Sequence, residues 1–178
     1  MEIELEKTFL VKELPKDIKD CESFEILDIY LPYNVEHPIL RIRKIGEGRF
    51  EMTKKSPVKD GDSSEQSEET IILSEKEFKE LSSSVKGKRL RKIRYFYPWE
   101  GVKGDKADID VFLDNFKGLV IADFEFDSCS EKENFKMPDF CLADFTQEKA
   151  TAGGWLAGRE YSDIAPVLEK YGYKGLEY

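Results

Sequence analysis

The sequence predicts a mainly β protein, an antiparallel barrel or sandwich with few helices. Three observations lead there. Apolar and polar residues alternate through segment after segment, the period of a strand buried on one face. Short turn signals such as Gly46-Glu47-Gly48 separate neighbouring segments, as hairpins require. Charged residues keep to one face of the strands, with acidic and basic positions sorted largely into different strands.

The first strand places Glu4, Glu6 and Thr8 on one face and Ile3, Leu5, Phe9 and Val11 on the other. Strands follow at Ser23–Leu31, Ile39–Lys44 and Arg49–Lys55, the last two pairing around the glycine turn. Val58–Gln66 is rich in Asp, Ser and Gly and reads as a mobile loop before a strand at Glu68–Leu73. Ser74 and Glu77 form a capping box for a short helix, Glu75–Ser83. Further strands are expected at Arg89–Tyr97, Lys106–Leu113, Leu119–Ser128 and around Ala143–Phe145, with turns at Pro98–Gly104 and Asn115–Gly118. Tyr161–Tyr171 reads as a closing amphipathic helix with Ile164, Val167 and Leu168 turned inward. No linker or internal repeat divides residues 1–178, so one domain is expected.

Composition narrows the function classes. The 178 residues are 40% hydrophobic and 37% charged, and the net charge of −9 argues against nonspecific nucleic-acid binding, which needs a cationic surface. No apolar run is long enough to span a membrane, and no basic-then-apolar leader opens the chain. Cys21, Cys129 and Cys141 are odd in number and unrelated in spacing, which suits reduced thiols in a cytoplasmic protein. His37 is the sole histidine, so histidine triads and histidine metal clusters are excluded. It precedes Pro38 in an expected turn and reads as a solvent-facing loop residue.

The position of the charges carries more information than their sum. Arg41 and Arg43 flank Ile42, and Lys92 and Arg94 flank Ile93. Asp108 and Asp110 oppose Ile109 and Val111, while Asp123, Glu125 and Asp127 oppose Ala122, Phe124 and Phe126. Glu51, Thr53 and Lys55 share a face opposite Phe50 and Met52. A sheet with one solvated face would alternate in the same way. Solubilising surfaces mix signs, however, and like charges on adjacent strands repel unless a cation lies between them. A barrel whose charged faces converge inward supplies that arrangement. Hard divalent ions take carboxylate oxygens, and Arg and Lys contact phosphate, so the set fits phosphoryl or nucleotidyl transfer. Tyr95, Phe96 and Tyr97 beside Arg94 could stack on a base or pack in the core.

The motifs resemble one family. ELEKTFLV at Glu4–Val11 is similar to the opening ExE[RK]KFLV strand of CYTH (triphosphate tunnel metalloenzyme) proteins, with Thr8 where the fuller ExExK signature has lysine. LRIRK at Leu40–Lys44, FEMTKKSP at Phe50–Pro57, KIRYFYP at Lys92–Pro98 and ADIDVFLDNFKGLVIADFEF at Ala107–Phe126 continue the pattern in order. The resemblance implies an eight-stranded antiparallel β-barrel tunnel with flanking helices. It implies a metal site, Mg²⁺ or Mn²⁺, at carboxylates like Glu4, Glu6, Asp110, Asp123 and Glu125, with Asp108 a weaker member and Glu68 or Glu69 adding a tunnel glutamate. Arg41, Arg43, Lys55, Lys92 and Arg94 would grip a triphosphate, and Glu4, Glu6, Lys55 and Arg94 would serve catalysis. Arg89 and Arg91 share the Ile93 face and read as outward. In the family a loop near Gly153-Gly154, which itself reads as a flexible turn, can cover the tunnel mouth, bringing Lys149 and Arg159 within reach of phosphate.

The activity implied is metal-dependent hydrolysis of inorganic, thiamine or nucleoside triphosphate, with one ion orienting the substrate and a second activating water. The absence of a clear base pocket favours a small triphosphate. Cyclisation of ATP by a class IV adenylyl cyclase and non-catalytic polyphosphate binding are the alternatives. The expected partner is thus a small triphosphate rather than nucleic acid or membrane, bound by a monomer or homodimer.

Overall fold

The computed structural model describes residues 2–178. Its strands are β1 (Glu2–Val11), β2 (Ser23–Leu31), β3 (Leu40–Ile45), β4 (Arg49–Pro57), β5 (Glu65–Leu73), β6 (Lys88–Pro98), β7 (Lys106–Phe112), β8 (Val120–Phe126) and β9 (Cys141–Asp144). The helices are α1 (Glu75–Ser84), α2 (Cys129–Asn134), α3 (Gly153–Leu156) and α4 (Tyr161–Lys170). Antiparallel pairing runs β5-β4-β3-β2-β6-β7-β8-β1, and a further β5–β1 pairing closes the ring into an eight-stranded barrel. β1 makes the closure: it meets β8 along Leu5–Leu10, and along its other edge β5 over Glu2–Leu5 and then β9 over Phe9–Val11.

Closure turns the charged faces inward and the apolar faces out, where other segments cover most of them and leave Ile3 and Ile71 exposed. On one side Ile29, Leu31, Ile42, Phe50 and Leu73 pack under Phe78 of α1. The capping box expected there forms, with the Ser74 hydroxyl accepting from Glu77 N and the Glu77 carboxylate accepting from Ser74 N. On the other side Phe9, Ile109, Val111, Ala122, Phe124 and Phe126 meet Phe135, Phe140 and Trp99. Edge-to-face and tilted ring contacts, such as Phe124 with Phe135 at 4.7 Å, lock this layer. Tyr95 and Tyr97 belong to the same outer layer, while Phe96 rests against Phe24.

The inward face changes character along the barrel. β1 runs Glu4, Glu6, Thr8, Leu10, and β6, β7 and β8 also become apolar toward the same end, at Leu90, Phe112 and Ile121. There Phe145, Leu156, Ala157, Ile164 and Leu168 cover the barrel. Gly153 and Gly154 are part of this cover. A Cβ on Gly154 would lie 2.1 Å from the Pro38 carbonyl oxygen, and one on Gly153 would lie 2.2 Å from the Tyr30 hydroxyl. The pair therefore opens α3 at a close backbone approach and is not a flexible turn.

Three other expectations change. β5 begins at Glu65, so the end of the expected loop is strand. Its preceding residue, Ser64, is tied down by the buried Lys132 ammonium, which donates to Ser64 Oγ at 2.9 Å. α2 and α3 were not anticipated, although Ser128 and Glu131 form a second capping box of the same kind as Ser74 and Glu77. Asp127 lies exposed beyond the end of β8 and does not extend its inward acidic face. No helix among the described residues is long and apolar enough to cross a membrane.

Candidate active site in the barrel

A cavity of about 420 Å³ occupies the barrel interior. The residues singled out from the sequence meet on its wall: Glu4, Glu6, Arg41, Arg43, Lys55, Glu68, Lys92, Arg94, Asp108, Asp110, Asp123 and Glu125. Strand register explains why. β1 opposes β8 with Glu6 beside Glu125 and Thr8 beside Asp123, and β4 opposes β5 with Lys55 beside Glu68. The choice between Glu68 and Glu69 falls to Glu68, since Glu69 is exposed on the outer face.

The acidic strands β7, β8, β1 and β5 follow one another around the barrel and meet basic residues at the two ends of the run, on β6 and β4. Arg94 Nη1 lies 2.7 Å from Asp108, its Nε and Nη2 lie 2.7 Å from Asp110, and Nη2 is 3.6 Å from Asp123. Lys92 also contacts Asp110, whose carboxylate is 2% exposed. Burial would raise the Asp110 carboxyl, but Arg94 and Lys92 outweigh it and hold it far below the ordinary range. Lys55 reaches from β4 to contact Glu4, with Glu6 Oε2 at 3.3 Å and Glu68 Oε2 at 3.9 Å.

Three carboxyls stay above their ordinary values. Burial pushes Glu6 up to about 7; Lys55 opposes this, while Glu4 and Asp123 add to it. Burial and the Asp110 charge raise Asp123. Burial with Glu4 and Asp108 raises Glu125. Glu4 differs: burial acts against its charged form, and Lys55 more than offsets it. This acidic region is short of positive charge.

The donor set suits a hard divalent ion, being made of carboxylate oxygens from facing strands. Among the described residues, no three such side chains are already gathered into a metal cage. The Lys55 ammonium stands where a cation is called for, among Glu4, Glu6 and Glu68. The opposite part of the wall suits an anion. Arg41 Nε is buried without a hydrogen-bond partner, its nearest carboxylate oxygen being Asp28 Oδ1 at 3.7 Å.

Thr8 takes part in the site although it lacks the lysine's charge: its hydroxyl donates to Asp123 Oδ1 at 2.7 Å. Lys7 points away, toward a surface recess with Lys132 and Asp144. Lys149 and His37 line the cavity rim, His37 being exposed as expected. Arg159 does not reach the cavity: it stacks on Trp155 at 4.1 Å and pairs with Glu36 at 3.3 Å. Arg91 faces outward to Glu25 and Asp114, and neither Tyr95, Phe96 nor Tyr97 lines the cavity.

Two contributors were missed in the sequence. Asp28 is fully buried behind Arg41 and Arg43, and Tyr30 lines the cavity two residues further along β2. The signal for Asp28 was present, a lone charge between Ile26 and Tyr30 on one face of the strand.

The CYTH domain family profile matches residues 2–138. No curated protein sequence matches the chain. Among solved structures, the inorganic triphosphatase NE1496 is similar at 25% identity and a TM-score of 0.61, over 88% of this chain and 95% of that one. A protein from Hippeastrum, described as an adenylyl cyclase candidate with a dominant triphosphatase activity, shares the fold at 12% identity and a TM-score of 0.53, over 99% and 92%. So does an adenylate cyclase candidate from Bacillus halodurans, at 15% identity and 0.52, over 100% and 95%. With its closed charged barrel and a profile match over most of its length, the chain belongs to the CYTH domain family.

Proposed function

We propose that this chain hydrolyses a small triphosphate with the help of Mg²⁺ or Mn²⁺ inside the barrel. One observation carries the reading: a single cavity brings a carboxylate cluster short of positive charge against a bank of arginines and lysines. Glu4, Glu6, Glu68, Asp123 and Glu125 are the residues to hold the metal, with Asp110 a further donor where Lys92 and Arg94 release it. A divalent ion there would neutralise phosphate oxygens and polarise water. The chain's own groups supply the rest. Arg41 lends its cavity-lining guanidinium to the phosphate oxygens, and Arg43 is held in orientation by Asp28. Lys55, Lys92 and Arg94 stabilise charge that develops on the leaving phosphate, an effect enlarged in a buried site.

Inorganic triphosphate is the first substrate to test. The similarity to an inorganic triphosphatase supports it, and so does the absence of aromatic stacking residues from β6 in the cavity. The test incubates the protein with Mg²⁺ or Mn²⁺ and inorganic, thiamine and nucleoside triphosphates, and identifies products by chromatography. Phosphate and diphosphate from inorganic triphosphate are expected. Cyclic AMP and diphosphate from ATP would establish a cyclase instead, and binding without turnover of any substrate would overturn the hydrolase.

A further inference from the structure

Lys55 belongs geometrically to both halves of the cavity. It shares the inward face of β4 with Thr53, and β3 sets Arg41 opposite Thr53, so its backbone sits in the phosphate-facing wall. Its ammonium nevertheless turns the other way, against Glu4, 3.3 Å from Glu6 and 3.9 Å from Glu68. Among the described residues, Glu4 and Glu6 find no other cation within ion-pair distance. The ammonium is thus the counter-ion that makes this cluster tolerable without a metal, because close, partly buried carboxylates repel one another and do not all remain charged unaided.

We propose that Lys55 is an internal counter-ion that a divalent metal displaces, so that metal loading turns its ammonium toward the triphosphate. The idea rests on the proposed metal-dependent function and adds a direction to it. A divalent ion bound by Glu4 and Glu6 would face an ammonium using the same oxygens, and two cations cannot share them at hydrogen-bond distance. The swing frees Lys55 for the anion, and reciprocity then requires metal and triphosphate to strengthen each other's binding. One consequence runs against the ordinary effect of mutating a site residue. Removing Lys55 should weaken triphosphate binding and strengthen metal binding.

The test measures Mn²⁺ binding without triphosphate by calorimetry and by the electron-spin signal of free Mn²⁺, for the wild-type protein, Lys55→Gln, and Glu4→Gln/Glu6→Gln. Lys55→Gln is expected to bind Mn²⁺ about tenfold more tightly than wild type, within the range usual for coupled sites. Equal or weaker binding by Lys55→Gln, or unchanged binding by the double variant, would overturn the proposal. A second readout uses wild-type protein alone. The ¹H–¹⁵N resonance of the Lys55 ammonium, held among its carboxylates, should shift or vanish on saturation with Mg²⁺, and its persistence unchanged would also overturn the proposal. Neither readout depends on turnover. A protein that behaves this way yet releases no phosphate would refute the hydrolase reading and leave the counter-ion role standing.

Discussion

Arg43 grips Asp28 through two hydrogen bonds, Nε to Oδ1 at 2.6 Å and Nη2 to Oδ2 at 2.9 Å, in a part of the wall where Asp28 has no exposure. Arg41 approaches the same carboxylate from the next inward position of β3. One buried anion therefore aligns two cavity-lining guanidinium groups. Breaking a buried pair while leaving its partner charged costs about 3–5 kcal/mol. Asp28→Asn is expected to lose stability of that order in urea unfolding. It should also raise KM for inorganic triphosphate more than it lowers kcat, since Arg43 keeps its charge but loses its aim.

Metal-free stability should depend on pH in two opposite ways. Asp28 is held at about 2, because Arg43 and Arg41 outweigh the burial that would raise it. Its contribution, about 2 kcal/mol, is present above the ordinary value of 3.8 and is lost as pH falls through 2. Glu6 is pushed from 4.5 up to about 7, so its effect has the other sign, and stability falls as pH rises across that interval. Asp123 and Glu125 act in the same sense as Glu6. Thermal melts in EDTA should show a declining melting temperature from pH 5 to 7.5, with a shallower slope in Glu6→Gln. Identical slopes would show that Glu6 does not titrate there.

The cover over the apolar end of the barrel should resist even one added methyl group. Gly154→Ala would place a Cβ against the Pro38 carbonyl, a backbone atom that cannot rotate away. Overpacking of this kind costs about 1–3 kcal/mol. A calorimetric melt should show that loss, whereas Gly48→Ala, where nothing lies within 4 Å, should change little through contacts.

Much of this was legible in the sequence because a strand has period two. Once Arg41 and Arg43, Asp108 and Asp110, or Asp123 and Glu125 fall on one face, closing the sheet brings them together without further information. Alternation settled less where a strand's edges or partners mattered. The choice of Glu68 over Glu69 needed the pairing with β4, and Asp28 needed its neighbour β3 to show that its charge is matched. The turn of Lys55 toward Glu4 depends on side-chain direction between strands distant in sequence, which no local pattern encodes. Gly153 and Gly154 looked like a flexible turn because their constraint comes from Tyr30 and Pro38, more than a hundred residues away. Arg159, a basic residue near the mouth, was drawn off by Trp155 and Glu36.

The central claim is that the carboxylate cluster and the arginine bank act together on one triphosphate. Phosphate release from inorganic triphosphate in Mg²⁺ tests it most directly, comparing the wild-type protein with Glu4→Gln and Arg43→Ala after circular dichroism has shown each variant folded. Losing either group should slow release by about 100-fold or more, the scale for removing one preorganised electrostatic contact in a buried site. Unchanged release in either folded variant would contradict this account of the site.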